Sequence, residues 1–381
     1  MPLPVHRILI TLCLGLMALL TVGFTPPTLV DREVAPTQRR TLGQLRQQAL
    51  VQNAPAVQSG AYLVYDVTAE TMLMAVNPDT SLPQASLTKL MTALLVLERG
   101  AAEPGFLQSS VTVQAGDLLG GASMNLIAGE TLTVADLLWG LLIPSGNDAA
   151  MALARHTAGS VDAFVQAMNR RADELGLTGT QFANPEGLDA SGHFSSARDI
   201  LVLTRRNWDY PLFRQIVGTA AVTVAGHPLR TTNQLLGTLA GANGVKTGTT
   251  DAAGQCLVAS VERDGRQRLA VILGSGDRYT DVRTLYAQAD TYFAWSGSVA
   301  GTGRLTSLDR MVDGADRVWL LRPQGEPPAI LLPAWQRHDL QTFRRLDLPP
   351  LPETWQPGLT AGTLEWRLAG QVVGTQTLVL E

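Results

Sequence analysis

Apolar and polar residues alternate in two sets of short stretches that lie far apart along the chain. The first set covers residues 61–67 and 72–76, which flank the turn-forming sequence Thr68-Ala69-Glu70-Thr71. This pattern is typical of a β-hairpin, because side chains on a strand point alternately to its two faces. The second set consists of three predicted strands at residues 244–249, 256–262 and 268–274. Asp264-Gly265 is expected to join the last two as a tight hairpin turn.

Between these two sets, apolar residues recur every three or four positions, as they do on one face of a helix. The clearest series is Leu87, Leu90, Met91, Leu94 and Leu97, which ends at Gly100. Further helices are predicted at residues 133–142, 148–154, 161–175 and 280–295. Thr133 and Asp136 have the spacing of a capping box, and Asp148 is expected to cap the helix that follows it.

The order of these elements predicts an α+β fold. Strands at both ends with helices between them favour an antiparallel sheet that is built from both ends of residues 57–296 and flanked by helices. Residues 296–303 are rich in Gly and Ser and are interpreted as a linker. Residues 304–381 are expected to form a small all-β domain, because short alternating runs are separated there by Pro-rich breaks. Those runs are residues 318–321, 330–332, 363–368 and 372–380.

The N-terminal segment is interpreted as a targeting signal. A nearly continuous apolar run at residues 8–24 follows His6-Arg7, and its length lies between a signal-peptide core and a comfortable membrane span. Residues 1–23 are therefore predicted to be a signal peptide, cleaved after Gly23, or a retained membrane anchor. Both alternatives imply export to the periplasm or to the outer face of the cytoplasmic membrane. Residues 24–56, which are Pro-, Gln- and Arg-rich, are expected to be a linker.

The composition of the chain excludes several classes of protein. With 45% hydrophobic residues and a net charge of −4, the chain is neither disordered nor strongly basic, so it is not expected to bind nucleic acid. Cys256 is the only cysteine outside the N-terminal apolar run, which leaves no partner for a disulfide and predicts a buried core position. Only two of the 29 basic side chains are lysine, Lys89 and Lys246. A lysine can give up its proton where an arginine cannot.

Ser86 and Lys89 stand three positions apart at the start of the first long predicted helix, so their side chains share one helix face. A serine hydroxyl becomes an effective nucleophile when a nearby base takes its proton, and a desolvated lysine can be that base. The alternative interpretation is an ordinary helix cap at Ser86 and a solvated charge at Lys89.

Two further motifs place polar groups at breaks and edges of the predicted elements. Ser145-Gly146-Asn147 offers a hydroxyl and an amide at the break after Pro144, although such a sequence is also common in simple turns. Lys246-Thr247-Gly248-Thr249 lies on a predicted edge strand. There Lys246 offers a fixed cation for a substrate carboxylate, and Gly248 would let the substrate approach the backbone closely. The alternative for Lys246 is a charge that discourages edge-to-edge aggregation.

Together, the three motifs resemble those of the penicillin-recognising serine enzymes. Gly146 stands where Asp is more usual, and Ser-Gly-Asn is common in low-molecular-mass penicillin-binding proteins that are D-alanyl-D-alanine carboxypeptidases. Other segments that resemble this subfamily are residues 121–130, residues 182–199 and Thr231-Thr232-Asn233. The resemblance covers residues 57–295 and, more loosely, residues 361–380. It implies a β-lactamase/transpeptidase-like fold followed by an accessory β domain.

The resemblance also implies catalytic roles. Ser86 would attack the carbonyl of the penultimate D-alanine of a peptidoglycan stem peptide, and Lys89 would be the general base. Ser145 would relay a proton to the leaving amine. Asn147 would hydrogen-bond the Lys89 region and the substrate amide. No cofactor and no metal ion are expected.

Substrate-binding roles are implied for the edge strand and for one arginine. Lys246 would lower the pKa of Lys89 and attract the terminal carboxylate of the substrate. Thr247, Gly248 and Thr249 would contact that carboxylate and the peptide backbone, with Arg283 as a further carboxylate-binding residue. The backbone N–H groups of Ser86 and Thr249 would form the oxyanion hole. β-Lactam antibiotics are expected to be acylating inhibitors.

Removal of the terminal D-alanine from pentapeptide stems is the leading hypothesis for the function. A D,D-endopeptidase that cuts cross-links is an alternative with the same chemistry, but related endopeptidases usually lack the C-terminal β domain. A β-lactamase is disfavoured, because the loop around Glu186 differs from the one that carries the deacylating glutamate of class A β-lactamases. An inactive wall-binding protein is disfavoured because every motif residue is present.

Overall fold

A five-stranded antiparallel sheet forms the centre of the main domain. The computed structural model describes residues 54–296, 310–313, 315–325, 327–334, 339–349, 354–368 and 370–381. The strands of the central sheet are β1 (Ala61–Asp66), β2 (Thr71–Val76), β7 (Ala242–Thr250), β8 (Gly254–Arg263) and β9 (Arg266–Ser275). Their order is β2-β1-β9-β8-β7, so the two ends of the domain meet in one sheet, as the sequence predicts. Strand β7 lies at an edge of this sheet.

Helices cover both faces of the sheet. They are α1 (Lys89–Ala102), α2 (Val134–Leu142), α3 (Asn147–Ala158), α4 (Val161–Glu174), α5 (Ala197–Trp208), α6 (Pro211–Val217) and α7 (Arg278–Tyr292). Two-residue periodicity divides the strands between two cores: Leu63 and Val271 pack with α1 to α6, whereas Val64 and Ile272 pack with α7. Two short antiparallel pairs lie outside the sheet: β3 (Ser110–Thr112) with β4 (Thr131–Thr133), and β5 (Ala221–Val224) with β6 (His227–Arg230).

Local signals in the sequence predicted several details correctly. Asp264 and Gly265 have φ angles of 53° and 68°, the left-handed conformation of a two-residue turn between β8 and β9. The capping box is also confirmed, because Thr133 Oγ1 accepts from the backbone N–H of Asp136 and the Asp136 carboxylate accepts from the N–H of Thr133. Cys256 is a buried free thiol, as expected.

Two helix predictions differ from the structure, and two helices were not predicted. Asp148 does not cap α3, because that helix begins at Asn147 with Gly146 as its N-cap. The Asp148 carboxylate instead accepts hydrogen bonds from the backbone N–H groups of Met124 and Leu126. Helix α7 ends at Tyr292, and β10 (Phe293–Ser296) occupies the residues that were predicted to complete it. Helices α5 and α6 were not predicted, although the buried positions Ala197, Ile200, Leu201 and Thr204 of α5 have helical spacing.

The C-terminal part contains a second five-stranded antiparallel sheet in the order β11-β12-β16-β15-β14. Its strands are β11 (Arg310–Val312), β12 (Val318–Pro323), β14 (Gln341–Leu346), β15 (Thr360–Leu368) and β16 (Gln371–Leu380). Trp319, Leu321 and Leu378 belong to its own buried core. The separate strand β13 (Ile330–Pro333) pairs with β10. The predicted α+β fold with an all-β C-terminal domain is confirmed.

Some predictions fall on residues that the structure does not describe. The apolar N-terminal run, residues 24–53 of the predicted N-terminal linker, and residues 297–303 of the predicted interdomain linker lie outside the described ranges. No helix among the described residues has the length and apolar character needed to cross a bilayer.

Candidate active site

Ser86 lies in a tight turn that leads directly into helix α1. Residues Ala85–Thr88 form one turn of 3₁₀ helix, and Lys89 is the first residue of α1. This arrangement brings Lys89 Nζ to 3.0 Å from Ser86 Oγ. The predicted contact between the two side chains is therefore confirmed, and the interpretation of Lys89 as a solvated charge is wrong, because its side chain is buried.

Two glycines allow the turn at Ser86 to pack tightly between neighbouring segments. Ala85 has a φ angle of 48°, an unfavourable left-handed conformation for a residue other than glycine. A Cβ atom at Gly187 would lie 2.2 Å from Ala85 O, and one at Gly248 would lie 3.0 Å from the backbone nitrogen of Ser86. The turn itself therefore occupies the space that a side chain at Gly248 would fill. The sequence alone suggested a different reason for glycine here, the close approach of a substrate.

Lys89 is held by three acceptors. Its ammonium nitrogen donates to Ser86 Oγ, to Asn147 Oδ1 at 2.8 Å and to the backbone carbonyl of Glu186. Complete burial lowers the pKa of Lys89 to about 7, against the opposing effect of the nearby carboxylates of Glu186 and Asp148. Burial, and not the field of Lys246, is the largest cause of this shift. Burial therefore favours the uncharged amine, which is the form that can accept a proton.

A second serine–lysine pair lies beside the first. Lys246 Nζ donates to Ser145 Oγ at 2.8 Å and to the backbone carbonyl of Thr247 at 2.7 Å. Lys246 is buried, so it is not the exposed edge-strand charge of the alternative interpretation. Burial lowers the pKa of Lys246 well below its usual value, and the positive charges of Lys89 and Arg278 lower it further.

The loop that carries Ser145 and Asn147 has a strict steric requirement. Ser145 has a φ angle of 66°, and a Cβ atom at Gly146 would lie 2.9 Å from the backbone carbonyl of Gly140. This crowding explains why glycine occupies the middle of the motif. Asn147 bridges two segments, because its amide oxygen accepts from Lys89 and its amide nitrogen donates to Gly120 O at 2.8 Å.

The hydroxyls of strand β7 contact neighbouring elements. Thr247 Oγ1 lies 2.5 Å from Thr232 Oγ1, within the predicted family segment at residues 231–233. Thr249 Oγ1 accepts a hydrogen bond from the Arg278 guanidinium at 2.6 Å. The structure thus brings Ser86, Lys89, Ser145, Asn147 and the residues of β7 together.

Arg283 does not lie at this site. Its guanidinium donates to Thr238 Oγ1 at 2.9 Å, and its side chain is exposed. Arg278, one turn earlier at the start of α7, instead reaches Thr249 Oγ1 and the backbone carbonyls of Gly248 and Cys256. The expected position of Arg283 is therefore wrong, and Arg278 is the arginine that lies beside β7. Residues 275–282 depart in length and composition from the family segment that they resemble, so the sequence alone did not show which arginine lies here.

Two further residues of this region were not assigned a role from the sequence. Glu186 has a buried carboxylate, and one of its oxygens, Oε2, has no hydrogen-bond partner among the described residues. Burial raises the pKa of Glu186, and Lys89 lowers it less strongly. His193 is buried against the turn that carries Ser86. Neither residue has a sequence signal beyond its place in residues 182–199, which resemble a family segment.

Comparison with known proteins identifies the family. The family model described as D-alanyl-D-alanine carboxypeptidase matches residues 48–277. The chain belongs to this family.

Individual members of the D-alanyl-D-alanine carboxypeptidase family are similar to this chain over different lengths. D-alanyl-D-alanine carboxypeptidase DacC of Escherichia coli (strain K12) is 32% identical over 341 residues, which cover 86% of this chain and 84% of that protein. DacF of Bacillus subtilis (strain 168) is 37% identical over 207 residues, which cover 52% of this chain and 53% of DacF, about half its length. The crystal structure of penicillin binding protein 6B from E. coli matches with a TM-score of 0.65 at 29% identity, covering 85% of this chain and 96% of that one.

Proposed function

We propose that the chain is a serine-type D-alanyl-D-alanine carboxypeptidase that removes the terminal D-alanine from peptidoglycan pentapeptide stems. The observation that carries this proposal is the pair formed by Ser86 and Lys89. The two side chains lie 3.0 Å apart, and burial lowers the pKa of Lys89 to about 7. A general base is most effective when its pKa lies near the working pH. Membership of the family indicates the substrate class.

In the acylation step, uncharged Lys89 accepts the proton of Ser86 while Oγ attacks the carbonyl carbon of the penultimate D-alanine. A C–O bond forms, and the carbonyl electron pair moves onto the oxygen. The backbone N–H groups of Ser86 and Thr249 are proposed to bind this oxyanion, and one such donor contributes about 3 kcal/mol to transition-state stability in comparable enzymes. Asn147 supports the step by holding Lys89 Nζ at 2.8 Å.

Collapse of the tetrahedral intermediate breaks the C–N bond and requires a proton on the leaving amine. Ser145 is placed to donate its hydroxyl proton and to take one from Lys246, which lies 2.8 Å away. The terminal D-alanine then leaves, and Ser86 remains acylated. Attack by water forms a C–O bond to the ester carbon and breaks the bond to Ser86 Oγ, which takes back the proton held by Lys89. One proton of the water restores Lys246, the other passes to solvent, and the shortened stem leaves as a carboxylate.

The carboxylate of the terminal D-alanine is proposed to bind at the end of β7 beside Arg278. The Arg278 guanidinium donates a hydrogen bond to Thr249 Oγ1 at 2.6 Å, which places a positive charge at the end of β7. A guanidinium is well suited to a carboxylate, because its N–H groups lie in one plane and can donate in parallel.

β-Lactams are proposed to acylate the same serine. Support comes from the structural relative named penicillin binding protein 6B, which is similar over 85% of this chain. The loop around Glu186 differs from the loop that carries the deacylating glutamate of class A β-lactamases, so Glu186 is not proposed to activate a water for hydrolysis of the ester. A long-lived penicilloyl-enzyme is therefore expected.

Export and domain organisation also belong to the proposal. Residues 1–23 are proposed to direct the chain out of the cytoplasm, so that it works on peptidoglycan in the periplasm or at the outer face of the cytoplasmic membrane. Residues 304–381 are proposed to be an accessory domain. N-terminal sequencing of the protein from an envelope fraction tests the first point: a start at Phe24 indicates a cleaved signal, whereas an intact N-terminus in the membrane fraction indicates an anchor.

Labelling with a fluorescent penicillin and a D-alanine release assay test the activity, with Ser86→Ala as the control. The wild type is expected to retain the label and to release D-alanine from a pentapeptide, and the variant is expected to do neither. Stable labelling without release, together with cleavage of a cross-linked dimer, would establish the endopeptidase. Rapid loss of the label would indicate a β-lactamase. A wild type that takes up no label contradicts the proposal altogether.

A further inference from the structure

The turn that carries the nucleophile is held by a buried hydroxyl. Thr88 Oγ1 lies 2.8 Å from Ala85 O, the carbonyl of the residue with the left-handed backbone. A carbonyl oxygen can only accept, so the single hydroxyl proton of Thr88 is used in this bond. The other two groups within reach, Gln84 Nε2 at 3.0 Å and His193 Nε2 at 2.7 Å, must then donate to Thr88.

This requirement defines the tautomer of His193. Its Nε2 carries the proton that is donated to Thr88, and its Nδ1 accepts from the backbone N–H of Ala183 at 2.9 Å. A neutral imidazole meets both conditions, whereas a protonated ring would point an N–H at the N–H of Ala183. Burial lowers the pKa of His193 to about 4, so the neutral form is present throughout the range in which Lys89 titrates.

His193 therefore joins the two segments that meet at Ser86 and Lys89. On one side it contacts the turn Ala85–Thr88, and on the other side it contacts the start of the loop that runs from Ala183. The same loop provides the Glu186 carbonyl that accepts from Lys89 and the glycine, Gly187, that packs against Ala85. A shift of either segment would change the 3.0 Å contact between nucleophile and base.

We propose that His193 is a positioning residue for acylation: as a neutral imidazole protonated on Nε2, it fixes the Ser86 turn to the loop at residues 183–187 through Thr88. It touches neither substrate nor reacting atoms. The inference rests on the proposed function, because it assigns His193 to the step in which Ser86 attacks.

Two substitutions separate the two contacts of the imidazole. Asn places an amide oxygen near the position of Nδ1, so His193→Asn keeps an acceptor for the N–H of Ala183 and loses the donor to Thr88. Gln can place an amide nitrogen near the position of Nε2, so His193→Gln keeps the donor to Thr88. The measured quantities are the rate constant of acylation by a fluorescent penicillin, the dissociation constant of the preceding non-covalent complex, and the melting temperature of each variant.

We expect His193→Asn to reduce the acylation rate constant at least tenfold relative to the wild type. The dissociation constant of the non-covalent complex is expected to remain within twofold of the wild-type value. His193→Gln is expected to recover most of the rate, even if both variants melt at the same lower temperature. Equal rates for the two variants would overturn the proposal, because the imidazole would then only fill the core. An acylation rate of His193→Asn equal to that of the wild type would also overturn it.

Thr88 provides an independent test if the His193 variants fold poorly. Thr88→Ser keeps the hydroxyl, whereas Thr88→Val is similar in shape and lacks it. We expect slow acylation for Thr88→Val and near-normal acylation for Thr88→Ser, and the opposite order contradicts the proposal. Failure of this inference can be distinguished from failure of the proposed function, because the latter requires that the wild type itself takes up no label and releases no D-alanine.

Discussion

Lys246 Nζ donates a hydrogen bond to Ser145 Oγ across 2.8 Å, although the two residues lie 101 positions apart in the chain. Ser86 and Lys89 form a second serine–lysine pair at 3.0 Å. Lys89 has two further acceptors, Asn147 Oδ1 and the backbone carbonyl of Glu186, whereas Lys246 has one, the backbone carbonyl of Thr247. The proposed function uses one pair as nucleophile and base and the other to protonate the leaving amine.

Acylation should depend on the protonation of Lys89. Burial lowers the pKa of this lysine to about 7, and only the uncharged form can accept the Ser86 proton. The acylation rate constant is expected to follow a titration curve with its midpoint near pH 7. It reaches a plateau above this pH and decreases about tenfold for each pH unit well below it. Labelling rates between pH 5 and 9 measure this, and a rate that stays constant from pH 5 to 7 would contradict the role of Lys89 as base.

Lys89→Arg should abolish acylation. An arginine keeps the positive charge but does not give up its proton in a protein, so it cannot activate Ser86. The measurement is uptake of a fluorescent penicillin, with circular dichroism to establish that the variant is folded. Acylation at a rate near that of the wild type would refute the assignment of the base.

Ser145→Ala should slow the release of D-alanine by a factor of about 10²–10⁴, the usual contribution of a positioned proton donor. The reason is that Lys246 would lose the hydroxyl through which it protonates the leaving amine. Ser160→Ala is the matched control. Ser160 caps α4 on the surface, and its loss should lower the free energy of unfolding by about 1 kcal/mol without affecting kcat/KM. Equal effects of the two substitutions on kcat/KM would count against the relay.

Arg278→Gln should reduce kcat/KM for D-alanine release about ten- to hundredfold, because a charged hydrogen bond to the substrate carboxylate would be lost. Arg283→Gln is the control from the same helix. Its side chain is exposed and bonded to Thr238, so kcat/KM should remain within twofold of the wild type. A larger loss for Arg283→Gln than for Arg278→Gln would reverse the assignment.

Gly187→Ala should disrupt the turn at Ser86. The new Cβ would lie 2.2 Å from Ala85 O, and Gly187 also has a φ angle of 95°. Gly105→Ala is the control, because Gly105 has a similar φ angle of 88° and no atom within 4 Å of the added Cβ. We expect Gly187→Ala to be less stable than Gly105→Ala by about 1–3 kcal/mol in urea unfolding, and to lose labelling. Equal stability of the two variants would show that the clash is relieved.

The parts of the fold that depend on neighbouring residues were predictable from the sequence. Strand alternation gave the five central strands, and the capping box at Thr133 and the turn at Asp264-Gly265 were correct, since each depends on contacts within a few positions. The approach of Lys89 to Ser86 belongs to the same class, because residues three apart on a helical turn are neighbours. Asp148 makes contacts that near neighbours in the sequence do not predict. Its carboxylate accepts hydrogen bonds from the loop at residues 123–126, more than twenty positions earlier, and does not cap α3.

By itself, the sequence determined the local elements and the residue types that chemistry of this kind needs. Only the tertiary structure decided how those residues work together. It places Lys246 against Ser145, and Arg278 instead of Arg283 against Thr249. It also buries both lysines, which lowers their pKa values. The physical reason is that local structure follows from sterics and hydrogen bonds between near neighbours. Desolvation of a charge and contacts across a hundred residues depend instead on how the whole chain packs.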